Sequence, residues 1–400
     1  MMMPIKHAAH FLNGAAFKPS DWGEEGLPIL RIAQLTGKPF DNYFDGTINR
    51  GLLIKNGDLL FSWSATIDAF IWERGDAILN QHIFKVIPKK SADKTYLYYL
   101  IKAHAPRWAD DDAHGSTMRH IKKESLSNKV WVPDLLTQKR IASFLDRETA
   151  RIDELIAKKE RLVEVLKENL LSGLERLVTP ETVTLDEMIP FRWVCRITEG
   201  QVDPTHPDWA DKPLIAPNHI ESRTGRLIGM ETAADQGAIS GKYTFPKGTV
   251  LYSKIRPNLA KACVAPVDGM CSADMYPVLP DKRLRPEFLL MHLLSARFTD
   301  WATLESMRVA MPKINRETLG SYRLWTPPLE LQDAATKKFF AEQSRNEALS
   351  EKVRQSISRL KEYRSALITA AVTGQIDVET YGKAGATSAT LDRIEEEMQA

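Results

Sequence analysis

The chain has 400 residues, 43% hydrophobic and 26% charged, with a formal net charge of +2. That length predicts two or three domains with real cores. The near-neutral balance excludes a polybasic chain that neutralises many phosphates by itself, so any DNA contact must come from local patches or be shared with a partner.

Cys195, Cys263 and Cys271 form no Cys-x-x-Cys pair. They fit free thiols in a reducing cytoplasm better than a disulfide framework or a zinc site. No apolar run approaches the ~18 to 20 residues of a membrane span. The start, Met1-Met-Met-Pro-Ile-Lys-His7, lacks the apolar stretch of a signal peptide. A cytoplasmic protein without a membrane partner is expected.

In chain order, Gly26-Leu-Pro-Ile-Leu-Arg-Ile reads as a short apolar strand entered through proline, and Thr36-Gly-Lys as a polar turn. Lys55-Asn-Gly-Asp-Leu-Leu-Phe-Ser62 reads as a glycine turn, a four-residue buried strand and an exposed serine. Phe84-Lys-Val-Ile-Pro88 is another strand. A helix follows near Tyr96 to Ala105, then a loop and a short helix ending at Ile121-Lys-Lys-Glu-Ser-Leu126. After Lys129-Val-Trp-Val-Pro-Asp-Leu-Leu-Thr-Gln138 the chain runs without Pro or Gly to Gly173. Apolar residues at Ile152, Ile156, Val163, Leu166, Leu170 and Leu177 step by fours and threes, with lapses at Lys159 and Gly173. That is a heptad seam. At ~1.5 Å per residue a helix of about 40 residues is roughly 60 Å long. Helices of that length are spacers or coiled-coil arms, although a long helix on a globular core satisfies the same pattern.

The whole plan then recurs. Pro190 to Gly200 matches Pro4 to Gly14, and Asp211-Lys-Pro-Leu-Ile-Ala-Pro matches Gly26 to Ile32. Thr224-Gly-Arg matches Thr36-Gly-Lys, Pro246-Lys-Gly-Thr-Val-Leu-Tyr-Ser253 matches Lys55 to Ser62, and Tyr276-Pro-Val-Leu-Pro280 matches Phe84 to Pro88. A helix near Pro286 to Phe298 and a segment Ile314-Asn-Arg-Glu-Thr-Leu319 follow. Arg323-Leu-Trp-Thr-Pro-Pro-Leu-Glu-Leu-Gln332 matches Lys129 to Gln138 without a gap. A second seam runs Leu349, Val353, Leu360, Tyr363 and Leu367, with Asn346 and Ser356 on the same stripe. The period near 190 residues is far too long for a solenoid.

The expected fold is therefore mixed α/β: two similar globules separated by two long antiparallel coiled-coil helices, related by a pseudo-two-fold axis. The expected segments are a first globule over 1–132, a spacer helix over 133–179, a second globule over 180–326, a spacer helix over 327–374 and a mobile tail over 375–400. Helix pairing is expected through Ile152, Ile156, Val163 and Leu166 on one side and Leu349, Val353, Leu360 and Leu367 on the other.

The residues Gln138-Lys-Arg-Ile-Ala-Ser-Phe-Leu-Asp146, Ile152-Asp-Glu-Leu-Ile156 and Leu360-Lys-Glu-Tyr-Arg-Ser-Ala-Leu-Ile-Thr-Ala-Ala-Val-Thr-Gly374 resemble those of the specificity subunit of a Type I restriction-modification system. The resemblance spans nearly the whole chain, in two copies in the right order. It implies that each globule is a target-recognition domain reading one half of a bipartite double-stranded DNA site. It implies that the helices set the spacer and dock two modification (methyltransferase) subunits, joined by two motor-nuclease subunits for restriction. S-adenosylmethionine, ATP and Mg²⁺ then belong to those partners, and none to this chain. Two departures stand out: the first copy lacks a lead-in like Thr182 to Ile189, and the second helix begins Gln332-Asp-Ala-Ala, which predicts unequal docking faces.

Motifs for the system's own chemistry are missing from the sequence. No Asn/Asp-Pro-Pro-Tyr/Phe stands ready to hold a flipped adenine. Gly237-Ala-Ile-Ser-Gly-Lys242 is one residue short of a phosphate loop, and Tyr243 follows the lysine where Ser or Thr is needed. His7/His10 and His114/His120 lack further ligands at metal spacing. Asp110-Asp-Asp112 reads as a solvated acidic loop rather than a cation site. The reading is a non-catalytic chain with no metal. The other reading is a coiled-coil protein-interaction scaffold without DNA readout.

Base edges are read by Arg, Lys, Asn or Gln on exposed loops, and phosphates by Lys, Arg and backbone N–H. The best matched loops follow the repeated strand: Ser62-Trp63-Ser-Ala-Thr66 and Ser253-Lys254-Ile-Arg256-Pro-Asn258. They share a scaffold and differ after the serine, as two readers of different words should. Lys254 and Arg256 lead the set, while Trp63 is more often a core residue than a DNA contact. A second pair of loops carries Arg119 and Arg308. Arg31 and Lys6 complete the candidates as lone surface cations.

Overall fold

The computed structural model describes residues 1–47, 49–113, 119–307 and 312–381. The chain forms two compact units, Met1–Glu160 with Arg354–Ala400, and Arg161–Val353. The first copy runs β1 (Met2–Pro4), β2 (Ala9–Asn13), β3 (Leu27–Leu30), α1 (Ile32–Leu35), β4 (Tyr43–Phe44), β5 (Leu53–Ile54), β6 (Leu59–Ser62), β7 (Asp68–Ile71), β8 (Ala77–Leu79), β9 (Ile83–Pro88), α2 (Lys94–Asp112), β10 (Lys129–Trp131) and α3 (Leu135–Val178). The second runs β11 (Met188–Pro190), β12 (Cys195–Ile197), β13 (Gln201–Val202), α4 (Pro207–Ala210), β14 (Pro213–Ile215), β15 (Glu231–Thr232), β16 (Lys242–Phe245), β17 (Val250–Ser253), β18 (Ala262–Val264), β19 (Gly269–Cys271), β20 (Met275–Pro280), α5 (Pro286–Leu294), α6 (Ala296–Ser306), α7 (Arg316–Ser321), β21 (Arg323–Trp325) and α8 (Leu329–Val372).

The two copies share one topology, strand for strand. A first sheet has the order β2-β9-β6-β7 in one copy and β12-β20-β17-β18 in the other. A second sheet has the order β4-β3-β8-β5 against β15-β14-β19-β16, with β13 added at the edge of the second copy. In each, one parallel pair, β3·β8 or β14·β19, is flanked by antiparallel neighbours. A two-stranded ribbon closes each globule in the same register, Pro4 opposite Lys129 and Pro190 opposite Arg323. The repeated apolar runs explain the sheet centres. All four residues of β6 and all four of β17 are buried, as a continuous apolar strand between covering elements requires.

The helices differ where the sequences differ. Asp93 caps α2 by accepting from the Tyr96 N–H at 2.9 Å, and the helix continues through Pro106. In the second copy the single helix expected near Pro286 to Phe298 is two. Ser295 is extended, and its hydroxyl accepts from the Phe298 N–H at 3.2 Å, so it ends α5 and caps α6. Asp110 and Asp112 lie in the last turn of α2 rather than in a loop: exposed Asp110 pairs with Arg119, and Asp112 accepts from the Lys122 N–H and the Ser125 hydroxyl.

Gln138 and Gln332, matched in the sequence, do the same work in each unit. Both are fully buried. Gln138 donates to the carbonyls of Ser91 and Pro133 and accepts from the Asp93 N–H; Gln332 donates to those of Arg283 and Pro327 and accepts from the Arg285 N–H. Each amide thus satisfies three backbone groups where a long helix leaves its globule, groups that are costly to bury unpaired.

Within each unit the two long helices run antiparallel. In the first, Asp153 meets Arg364 at 2.9 Å and Glu160 meets Lys361 at 3.8 Å. In the second, the Asn346 amide donates to the Leu166 carbonyl at 3.3 Å, and a Cβ added at Gly173 lies 4.0 Å from the Glu342 carboxylate. Ile152, Ile156, Val353, Leu360 and Leu367 are buried, and Val163 and Leu166 half-buried. Leu349 is not on the seam: it is 40% exposed, and Ser350 is buried in its place. Ile357 likewise replaces Ser356. The buried steps are Gln343, Ser350, Val353, Ile357, Leu360 and Leu367, with Asn346 and Arg364 half-buried on the same stripe, so a reading that favoured apolar residues slipped by one position where the seam is polar. Lys159, a lapse in the apolar pattern, is 4% exposed. The tail reading is corrected up to Tyr381, whose ring packs edge-on against Phe144 at 4.8 Å and whose hydroxyl bonds that of Tyr363. Residues 382–400 lie outside the described residues.

Candidate nucleic-acid interface

The strand–serine loops are built alike in the two units. Ser62 and Ser253 are buried, not exposed as expected. Each hydroxyl donates to the carbonyl two residues on, Ser62 to Ser64 at 3.3 Å and Ser253 to Ile255 at 3.1 Å. The serines therefore shape the turn, with no free hydroxyl for a base. The next residue is tied on both sides. Trp63 N–H donates to His82 and Lys254 N–H to Asp274; the carbonyls of Trp63 and Lys254 accept from Ile121 and Ile314. Three residues after the serine, Ala65 N–H donates to the Arg119 carbonyl and Arg256 N–H to the Pro312 carbonyl. Thus the serine loop meets Arg119 of the second candidate loop in the first unit, and Pro312 and Ile314 in the second.

The backbone here is strained. Ala65 and Arg256 occupy the same position and both have positive φ, 58° and 48°. Ala260 (φ 43°) and Arg223 (φ 65°) add two more in the second unit, where the Arg223 N–H donates to the Ala260 carbonyl and its guanidinium to the Asn258 carbonyl. A non-glycine residue held this way costs about 1–3 kcal/mol, and such residues cluster at functional sites.

The candidates separate by environment. Arg256 and Asn258 are exposed, and Lys254 is half-buried with its ammonium 5.3 Å from the Tyr276 ring centroid. Trp63 is half-buried, donates to the Asn13 side chain at 3.2 Å and packs on His82 and Phe84, which is a structural role. Arg119 is exposed and paired with Asp110. Arg31 pairs with Asp41 at 2.5 Å and lies over Trp22, and its hydrogen bond holds the Asp41 carboxyl below the usual carboxylate range. Lys6 is exposed, donates to Ser127 and belongs to the opening turn after β1, outside these loops. Arg308 lies outside the described residues. Sequence reasoning missed Arg316, which packs over Tyr243 and Tyr276 and donates to the Thr198 carbonyl. Its only sequence signal was its place in the repeated Ile-x-x-Glu segment.

The thiols are not reactive centres. Burial pushes Cys263 up to about 12, and raises Cys195 and Cys271 as well. Among the described residues no group of three or more His, Cys, Asp or Glu could hold a metal ion. Lys242 donates to the Ser240 carbonyl and hydroxyl, so its ammonium closes its own turn.

Residues 3–165 and 208–359 match the family described as the Type I restriction modification DNA specificity domain. The chain belongs to this family. As a Type I DNA-specificity protein it carries the domain twice, and the two matches fall on the two repeats of one topology. The specificity subunit of the Type I restriction enzyme EcoDI from Escherichia coli is 27% identical over 317 residues, covering 71% of this chain and 70% of that protein. The EcoBI specificity subunit of the same organism is 21% identical over 432 residues, covering 95% and 86%. A chain solved in a study of type I R-M system assembly and conformational transition shares the fold with a TM-score of 0.72 at 15% identity, covering 94% of this chain and 98% of that one. The HsdS subunit from Thermoanaerobacter tengcongensis aligns at a TM-score of 0.51 and 17% identity, covering 94% of each chain. No helix among the described residues is long and apolar enough to cross a membrane.

Proposed function

We propose that this DNA-specificity chain reads a bipartite duplex site, one half per globule, without catalysing a reaction itself. The observation that carries this reading is the duplicated loop: one hydrogen-bond scaffold, used twice, presenting Trp63 and Ala65 in one unit and Lys254 and Arg256 in the other. A shared scaffold with divergent side chains is what two readers of different sequences need. Exposed Arg256 and Asn258 supply base-edge or phosphate contacts, Lys254 and Arg119 supply charge, and Ser62 and Ser253 hold the turns.

The paired helices act as a spacer that fixes the interval between the two half-sites. Their outer faces dock two methyltransferase subunits, which bring S-adenosylmethionine and the target-adenine chemistry. Two motor-nuclease subunits bring ATP and Mg²⁺ for restriction, in the cytoplasm. The docking faces are unequal. Lys139, Arg140 and Arg147 line a cleft at the start of α3 with Glu379, whereas the corresponding start of α8 has Asp333 paired with Arg285. Sequencing the methylated sites in cells that express this chain with its methyltransferase tests the reading. A bipartite motif with a fixed spacer is expected. Methylation without sequence preference, or a purified complex with no salt-dependent affinity for any duplex, rejects it in favour of a protein-interaction scaffold.

A further inference from the structure

An open cleft of ≈ 540 Å³ lies beside the reading loop of the first unit, lined among others by Arg31, Lys38, Asn80 and His82. Asn80 lines this cleft and is 8% exposed. The Nδ1 of His82 is buried without a hydrogen bond. Burying an imidazole nitrogen unpaired costs about 1–3 kcal/mol, so the His82 ring is unexplained by the fold alone. Arg31 is already engaged by Asp41, which makes it a wall of the cleft; Lys38 is exposed at the rim.

The second unit keeps the scaffold of this cleft and changes its side chains. Asn80 N–H donates to Leu30 and accepts from Ile83 at its carbonyl; Ser272 does the same with Ile215 and Met275. The His82 and Asp274 carbonyls accept from Trp63 and Lys254. The Arg31 N–H is capped by Gln34 Oε1 and the Ala216 N–H by His219 Nδ1. Equivalent positions therefore hold Asn80 or Ser272, His82 or Asp274, and Arg31 or Ala216. In the second unit the Ser272 hydroxyl is used, accepting from the Asp274 N–H at 3.2 Å.

We propose that Asn80 and His82 form a base-reading subsite of the first unit, with Lys38 on the flanking phosphate, and that positions 80/272 and 82/274 help set which word each unit reads. The Asn80 amide offers a donor beside an acceptor, the complement of an adenine N7/N6 edge in the major groove. Its His82 neighbour, packed against Trp63 with ring centroids 5.2 Å apart and planes tilted by 54°, ties this subsite to the reading loop. The proposal rests on the DNA-reading function given above and names residues for it.

The test uses the full chain assembled with its methyltransferase subunits, reading the methylated sites by sequencing and affinity on the wild-type motif. Asn80→Ala and His82→Ala should each weaken methylation of the motif about tenfold and relax one base position, an adenine for Asn80, in one half-site only. Lys38→Ala should weaken binding evenly and leave the motif intact. Unchanged discrimination in His82→Ala, whose side chain is only half-buried, overturns the proposal even if Asn80→Ala fails to fold. So does an Asn80→Ala loss spread evenly over all sequences. A wild-type complex without any motif would instead sink the underlying function, which separates the two failures.

Discussion

Arg256 combines an exposed guanidinium with a left-handed backbone, φ 48°. That conformation costs a non-glycine residue roughly 1–2 kcal/mol, so the two properties are separable by mutation. Arg256→Gly should melt no lower than the parent, while half-site affinity falls by about 1–3 kcal/mol. Lys254→Ala should act on the same half-site. Unchanged affinity and methylation motif in both variants would remove these residues from the reading surface. His292 shows the opposite case, a buried titratable group in a structural role. Its ring is 1% exposed and bonds the Trp325 carbonyl at 3.0 Å, and burial holds its pKa at about 4 against an ordinary 6.5. The unfolded chain therefore binds the proton more tightly. Its contribution is complete above pH 6.5 and is lost as pH falls toward 4, by up to roughly 3 kcal/mol. His292→Gln should flatten that part of the pH dependence; urea melts at pH 7.5 and pH 5 that differ equally in parent and variant would contradict it.

Among elements, α8 shows how a seam is decided by its partner. Apolar residues alone pointed to Leu349, but burial falls on Ser350, Val353 and Ile357, with Asn346 half-buried one turn before them. The Asn346 amide reaches the Leu166 carbonyl, and a polar residue at a core position specifies register at some cost in stability. Leu349→Ala should change stability by less than about 0.5 kcal/mol, whereas Leu360→Ala, at a fully buried position, should cost about 2–5 kcal/mol. Chemical melts of the two variants check the contrast, and equal losses would restore Leu349 to the seam. The same logic explains the serines that end β6 and β17. Sequence position made them look exposed, but each turn needed a local donor for the carbonyl two residues on.

For the whole molecule, the prediction is modularity. Exchanging residues 190–325 for the same region of a relative should change one half of the methylated motif and leave the other. Inserting or deleting one heptad in both long helices should alter the spacer and neither half. Motif sequencing decides both, and a swap that alters both halves together would show that the globules do not read independently.

The duplication, the strand positions and the long helices were determined by the sequence, because each rests on local periodicity and on turn residues that recur in step. Pro28 with Pro213 and Gln138 with Gln332 could be paired by eye, and the structure gives them equivalent places. Tertiary structure alone decided the register of the polar seam, the burial of Ser62 and Ser253, and the meeting of the serine loops with residues 119–121 and 312–314. It also brought Asn80 and His82 to one cleft with Arg31. These depend on partners distant in the chain, and a sequence carries no local signal for which polar group will find a bond and which will be left waiting for one.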